Sequence, residues 1–123
     1  MAAGRAVVTD RYTASSLAYQ GFGRGQDVEE VRDISVWATR GRWPDCTVLL
    51  RVPVDVVIER MSAAGAPDRL ESEGSAFQRR VAAGFDALAT ADPATWRVID
   101  GVGTVDEVAG RRSEERRVGK ECA

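Results

Sequence analysis

Residues 6–25 read Ala6-Val7-Val8-Thr9-Asp10-Arg11-Tyr12-Thr13-Ala14-Ser15-Ser16-Leu17-Ala18-Tyr19-Gln20-Gly21-Phe22-Gly23-Arg24-Gly25, and their order decides the fold. The β-branched run at residues 5–9 predicts a buried strand. It stops on an acid–arginine pair, Asp10-Arg11. Residues 13–20 then predict a short helix, closed by Gly21, Gly23 and Gly25. In an open α/β sheet, ligands gather outside the carboxyl ends of the strands. Asp10, Arg11 and Tyr12 fall at that point, so a phosphate is expected there.

The pattern continues downstream. Residues 28–40 place Val28, Val31, Ile34, Trp37 and Ala38 at helical spacing, with Gly41 behind them. Trp43-Pro44-Asp45 reads as a turn. Residues 46–52 form a second apolar run, the kind buried on both faces of a parallel sheet. Pro53 opens the next helix, where its missing N–H costs nothing. Residues 65–71 mix Gly, Pro and alternating charges and read as an exposed loop. Residues 72–91 are a long amphipathic helix with Phe77, Val81, Phe85 and Leu88 on one stripe. Residues 96–99 predict a third strand, and residues 104–110 a last short helix opening on Thr104. Strands alternating with helices predict an α/β domain with a parallel sheet.

Composition narrows the function classes. Of 123 residues, 44% are hydrophobic and 29% charged, an ordinary globular balance that can build one core. A net charge of −2 gives no reason to expect a nucleic-acid surface. No apolar run is long enough to span a bilayer, and no basic-then-apolar leader is present, so the sequence predicts a cytoplasmic protein. There is no histidine, which removes imidazole acid–base chemistry and imidazole metal ligands. Cys46 and Cys122 make neither a disulfide framework nor a metal knuckle, and no metal site is expected. Lysine occurs once, at Lys120. From Arg112 the text changes to Arg-Ser-Glu-Glu-Arg-Arg-Val-Gly-Lys-Glu-Cys, which resembles a translated reading frame of a short-read sequencing adapter. Residues 112–123 are therefore expected to be foreign to the domain, which occupies residues 1–111.

The segment after Arg11 carries the chemistry. On a helix, residues four apart share a face, pairing Ser15 with Tyr19 and Ser16 with Gln20. Hydroxyls, a phenol and a carboxamide then lie beside Arg11, whose planar fork suits bidentate phosphate contact. A phosphate clamp next to a base-reading patch is what a nucleoside monophosphate requires. Taken alone, the Asp-Arg dipeptide reads first as a surface ion pair, and the serines as helix caps.

The wider wording, from Val7 through Gln20-Gly21 and on to Gly23-Arg24-Gly25, closely resembles the central signature of bacterial thymidylate kinases. The resemblance continues through Pro44-Asp45, the strand exit at residues 49–53, Arg60, Asp68-Arg69-Leu70-Glu71, Phe77, Val81 and Val98-Ile99-Asp100. It implies transfer of the ATP γ-phosphate to dTMP, giving dTDP, with Mg2+ carried by ATP. By the same resemblance Arg11 holds the dTMP phosphate, with Asp10 orienting it. Ser15 and Ser16 contact the thymine, Tyr19 lies against the deoxyribose, and Gln20 completes the base pocket. Residues 65–71 become the lid over ATP, with Arg69 and Glu71 in it and Arg60 near the adenine; Asp10, Arg11 and Arg69 are the catalytic set. The family is often homodimeric through helices.

Two departures stand out: Ala64 where relatives often carry a second arginine, and Arg51 where they usually carry an acid. A third is larger. Residues 1–111 contain no lysine and hence no Gly-x-x-x-x-Gly-Lys phosphate loop. The expectation is a partial P-loop kinase fold, a three-layer α/β/α arrangement without its N-terminal strand and phosphate loop. Such a chain is expected to be inactive alone and prone to aggregate. Other readings are a different P-loop deoxynucleoside or nucleotide kinase, and a non-catalytic nucleotide-binding fragment.

Overall fold

The computed structural model describes residues 4–63 and 69–118. Its elements run α1 (Thr13–Ser16), a π-helix (Leu17–Gly23), α2 (Val28–Ala38), β1 (Thr47–Arg51), α3 (Val54–Ala63), α4 (Arg69–Ala91), β2 (Trp96–Asp100) and α5 (Val105–Val118). The two strands pair in parallel, with Thr47 opposite Trp96 and Arg51 opposite Asp100. Two helices lie between β1 and β2 in the chain, the long connection that a parallel pair needs. The α/β class read from the sequence is therefore the observed one.

The core gathers where α4 crosses the π-helix. Leu17, Ala18, Val31, Val81 and Leu88 are buried together, with Tyr19, Phe22, Val28, Phe77, Phe85 and Trp96 packed against them. The stripe Phe77-Val81-Phe85-Leu88 of α4 thus faces inward, as its helical spacing demands. On β2, Trp96 turns toward this core while Ile99, on the opposite face of the strand, is also buried. Both α4 and α5 contact β2.

Several expectations are corrected. Residues 5–9 form no strand: Val7 and Val8 are 66% and 95% exposed, and the sheet of the described residues has two strands rather than three. β-Branched side chains favour extended backbone, but a strand exists only where a neighbour takes its hydrogen bonds. The helix of residues 13–20 is not stopped by Gly21 and Gly23 but runs on as the π-helix to Gly23. Those two glycines serve close packing instead. A Cβ at Gly23 would lie 2.7 Å from Phe77 Cε2, and one at Gly21 would lie 3.0 Å from Val28 Cγ2.

Helix α2 begins on Asp27, whose carboxylate accepts from the Glu29 N–H at 2.9 Å. It ends through Arg40 and Gly41, both left-handed, with the Gly41 N–H reaching back to the Val36 carbonyl at 2.9 Å. Its apolar stripe is only half used. Val31 is buried, whereas Ile34 and Trp37 are 65% and 83% exposed. Arg69 and Glu71, read from the sequence as loop, belong to the first turns of α4, and residues 65–68 of the expected lid lie outside the described residues. The last helix does not stop at Gly110 but continues to Val118. Its start matches the reading, because Thr104 and Glu107 form a reciprocal capping box at 3.3 and 3.2 Å.

Candidate functional site

The turn between residues 9 and 13 sets the geometry. Arg11 takes a left-handed backbone with φ +66°, rare for a residue with a side chain, and the Thr9 hydroxyl donates to its carbonyl at 3.2 Å. Tyr12 anchors the far side by donating from its phenol to the Arg42 carbonyl at 3.2 Å. This turn sends the Arg11 guanidinium over the Tyr19 ring, 5.4 Å from its centroid. Among the described residues Arg11 thus meets Tyr19 rather than pairing with Asp10, which is exposed.

Tyr19 is itself held from below. Its ring is tilted against Phe77 at 5.9 Å and set edge-on to Phe85 at 6.3 Å, both on the inward stripe of α4. Two further guanidinium groups, of Arg24 and Arg80, lie 5.5 and 6.0 Å from the Phe77 centroid. Three arginines therefore surround one aromatic pair. Ser15 is half-buried, while Ser16 and Gln20 are exposed on the same segment. The four-residue stacking of Ser16 with Gln20 is loosened, because Gln20 stands in the π-helix, where hydrogen bonds span five residues and the faces shift.

The other expected residues are less gathered. Arg60 is exposed in the last turn of α3, and among the described residues no hydrogen bond or ion pair joins it to Arg11 or Tyr19. Arg69 and Glu71 are placed as helical backbone of α4. Among the described residues no three His, Cys, Asp or Glu side chains converge as metal ligands.

Arg51, the unexpected cation at the exit of β1, has a clear partner. Its Nε and Nη2 donate to the Asp86 carboxylate of α4 at 3.0 and 3.2 Å. That hydrogen bond, and then the charge of Asp86, hold the guanidinium above its ordinary pKa. Beside the pair lies an open hollow of 510 Å³, walled by Thr90, Trp96 and Val98. It shares no lining residue with the Arg11–Tyr19 pair.

Sequence reasoning had reached Phe77 and Phe85 as core positions but not as the floor of the site. It quoted Arg24 only within the Gly23-Arg24-Gly25 signature, with no role, and did not reach Arg80. Arg80 meets residue 23 across 57 positions of chain, and no local pattern signals that.

Arg11 over Tyr19, in a parallel α/β scaffold, coincides with a family match. The model described as thymidylate kinase covers residues 1–111. The chain belongs to the thymidylate kinase family. A thymidylate kinase of Synechococcus sp. (strain JA-2-3B'a(2-13)) is 48% identical over 111 residues, 90% of this chain and 52% of that protein. One from Thermomicrobium roseum is 50% identical over 98 residues, 79% of this chain and 47% of the relative. One from Methylobacillus flagellatus is 42% identical over 108 residues, 88% and 53% respectively. The chain spans about half the length of the curated relatives it matches. The family is one of P-loop kinases, and the small parallel sheet with its helices fits part of that fold. Among the described residues no helix is long and apolar enough to cross a membrane.

Proposed function

We propose that these residues form the acceptor side of a thymidylate kinase, an enzyme of the cytoplasm that transfers the γ-phosphate of ATP to dTMP and releases dTDP and ADP. The observation that carries this reading is the Arg11 guanidinium lying over Tyr19 within the family-matched segment. A planar fork above an aromatic ring presents phosphate donors beside a surface for a sugar. In this reading Arg11 grips the dTMP phosphate and Asp10, next in the chain, orients it. Ser15, Ser16 and Gln20 supply donors and acceptors for the base edge, and Tyr19 walls the deoxyribose.

Arg60, Arg69 and Glu71 are assigned to the ATP side, where arginines neutralise charge on the transferring phosphoryl group. In this reading Mg2+ arrives bound to ATP, as part of the MgATP substrate. Residues 1–123 contain no Gly-x-x-x-x-Gly-Lys sequence to cradle ATP phosphates, so this polypeptide by itself is expected to give no dTMP-dependent ADP. A second copy of the chain is the expected partner, and the exposed Ile34 and Trp37 of α2 favour a helix-to-helix contact.

Calorimetric titration with dTMP and with thymidine tests the acceptor reading. A charge-assisted phosphate clamp predicts a preference of about tenfold or more for dTMP, abolished in Arg11→Ala. Equal affinity for the two ligands overturns it, and ADP formation by the purified polypeptide overturns the expected inactivity.

A further inference from the structure

The segment that carries Tyr19 and Gln20 is not an ordinary helix. Leu17–Gly23 is wound as a π-helix, and the Arg24 N–H reaches the Tyr19 carbonyl, five residues back, at 3.0 Å. The next bond widens further, from the Gln26 N–H to the Gln20 carbonyl at 3.2 Å. Such winding is rare, so something outside the segment must favour it. The carbonyls at its end also need donors.

Arg80 of α4 supplies one. Its Nε donates to the Gly23 carbonyl at 2.8 Å, and its guanidinium lies 6.0 Å from the Phe77 centroid. The surroundings leave little room for another arrangement. Gly23 lies against Phe77 and Val81, and Gly84 lies so near Phe22 that an added Cβ would be 2.7 Å from the Phe22 Cβ and Cγ. Apolar packing fixes how close the two helices come but not how the shorter one winds. The directional contact at the end of the turn is the Arg80 bond.

We propose that Arg80 is a positioning residue of the acceptor site, its bond to the Gly23 carbonyl holding the π-turn that sets Tyr19 and Gln20. The assignment of a role in nucleotide binding rests on the acceptor reading above; the mechanical role does not. Arg80 touches the peptide, so it acts on the nucleoside half of the ligand through Tyr19 and Gln20, whereas Arg11 acts on the phosphate.

Amide hydrogen exchange of the full 123-residue chain tests the mechanical role without any ligand. In Arg80→Ala, protection of the Arg24 and Gln26 amides is expected to fall about tenfold, the worth of one charge-assisted bond. The Val31 amide, bonded to Asp27 in α2, should be unchanged. Arg80→Lys, which keeps a donor, should restore part of the protection. Arg79→Ala, next to Arg80 on α4, removes an exposed ion pair to Asp55 of α3 and should leave both amides alone. Unchanged protection at Arg24 and Gln26 in Arg80→Ala overturns the proposal. So does an equal loss at Val31 in Arg80→Lys, which would mean general destabilisation.

Titration then separates the two readings. Arg80→Ala is expected to weaken dTMP and thymidine by the same factor, about tenfold, leaving their ratio intact, while Arg11→Ala collapses the ratio. A changed ratio in Arg80→Ala overturns the positioning role. A wild-type chain that binds neither ligand overturns the acceptor reading and the nucleotide role together, and the exchange result still decides the mechanical one.

Discussion

Val81 and Val8 are the same side chain in two settings. Val81, on α4, lies against Gly23 of the π-helix and is 4% exposed; Val8, ahead of Asp10, is 95% exposed. The region around Val81 has partners on every side, from the aromatic pair Tyr19–Phe77 to Leu17 and Val31. The region of Val7 and Val8, together with Val48, Leu50 and Val98 of the sheet, shows its apolar atoms to solvent. Hydrophobicity alone therefore does not bury a residue. Burial follows from neighbours, which Val81 has and Val8 lacks.

Core truncation gives the widest separation between the regions. Leu17→Ala, at a fully buried position, is expected to cost about 3 kcal/mol in urea unfolding, against less than about 0.5 kcal/mol for Val8→Ala. Equal losses would break the comparison by showing that residues 5–9 are packed in solution. Gly84→Ala should have the next largest effect. The added methyl meets Phe22 close to its backbone, where the ring cannot swing aside, and the expected cost is about 2 kcal/mol despite the better helix propensity of alanine.

The smallest effect concerns pH. Hydrogen bonds from Thr104, side chain first and then backbone, together with the Arg111 charge, hold the exposed Glu107 carboxyl below its ordinary value. A depressed carboxylate stabilises the fold above its unfolded pKa, and that contribution is lost as pH falls through the folded one. Amide exchange at the start of α5 should therefore quicken as the solution is acidified through the carboxylate range. It should do so less in Glu107→Gln, with the core amides of α4 insensitive.

The elements legible in the sequence are those whose signals are local. Gly41 marks the end of α2, and the Phe77-Val81-Phe85-Leu88 stripe marks the inward face of α4. Thr104 marks the start of α5. What was not legible depends on distant chain. Gly21 and Gly23 read as helix stops, yet their missing side chains make room for Val28 and Phe77. Arg51 read as an anomaly at the strand exit until Asp86, 35 residues on, supplied its partner. The candidate site divides the same way. The proximity of Arg11 and Tyr19 follows from eight positions of sequence, while the floor beneath them and the Arg80 tie come from α4.

The three tryptophans sit at different depths in these two regions. Trp37 is 83% exposed on α2, Trp43 lies beneath the Arg32 guanidinium at 5.9 Å, and Trp96 packs against the core at the start of β2. The indoles thus form a built-in optical gauge of the molecule. Collisional quenchers reach Trp37 from solution, and the emission of Trp96 follows the closing of the interior. A second copy docking on α2 would shade the first and leave the last unchanged, so light alone can tell association from folding.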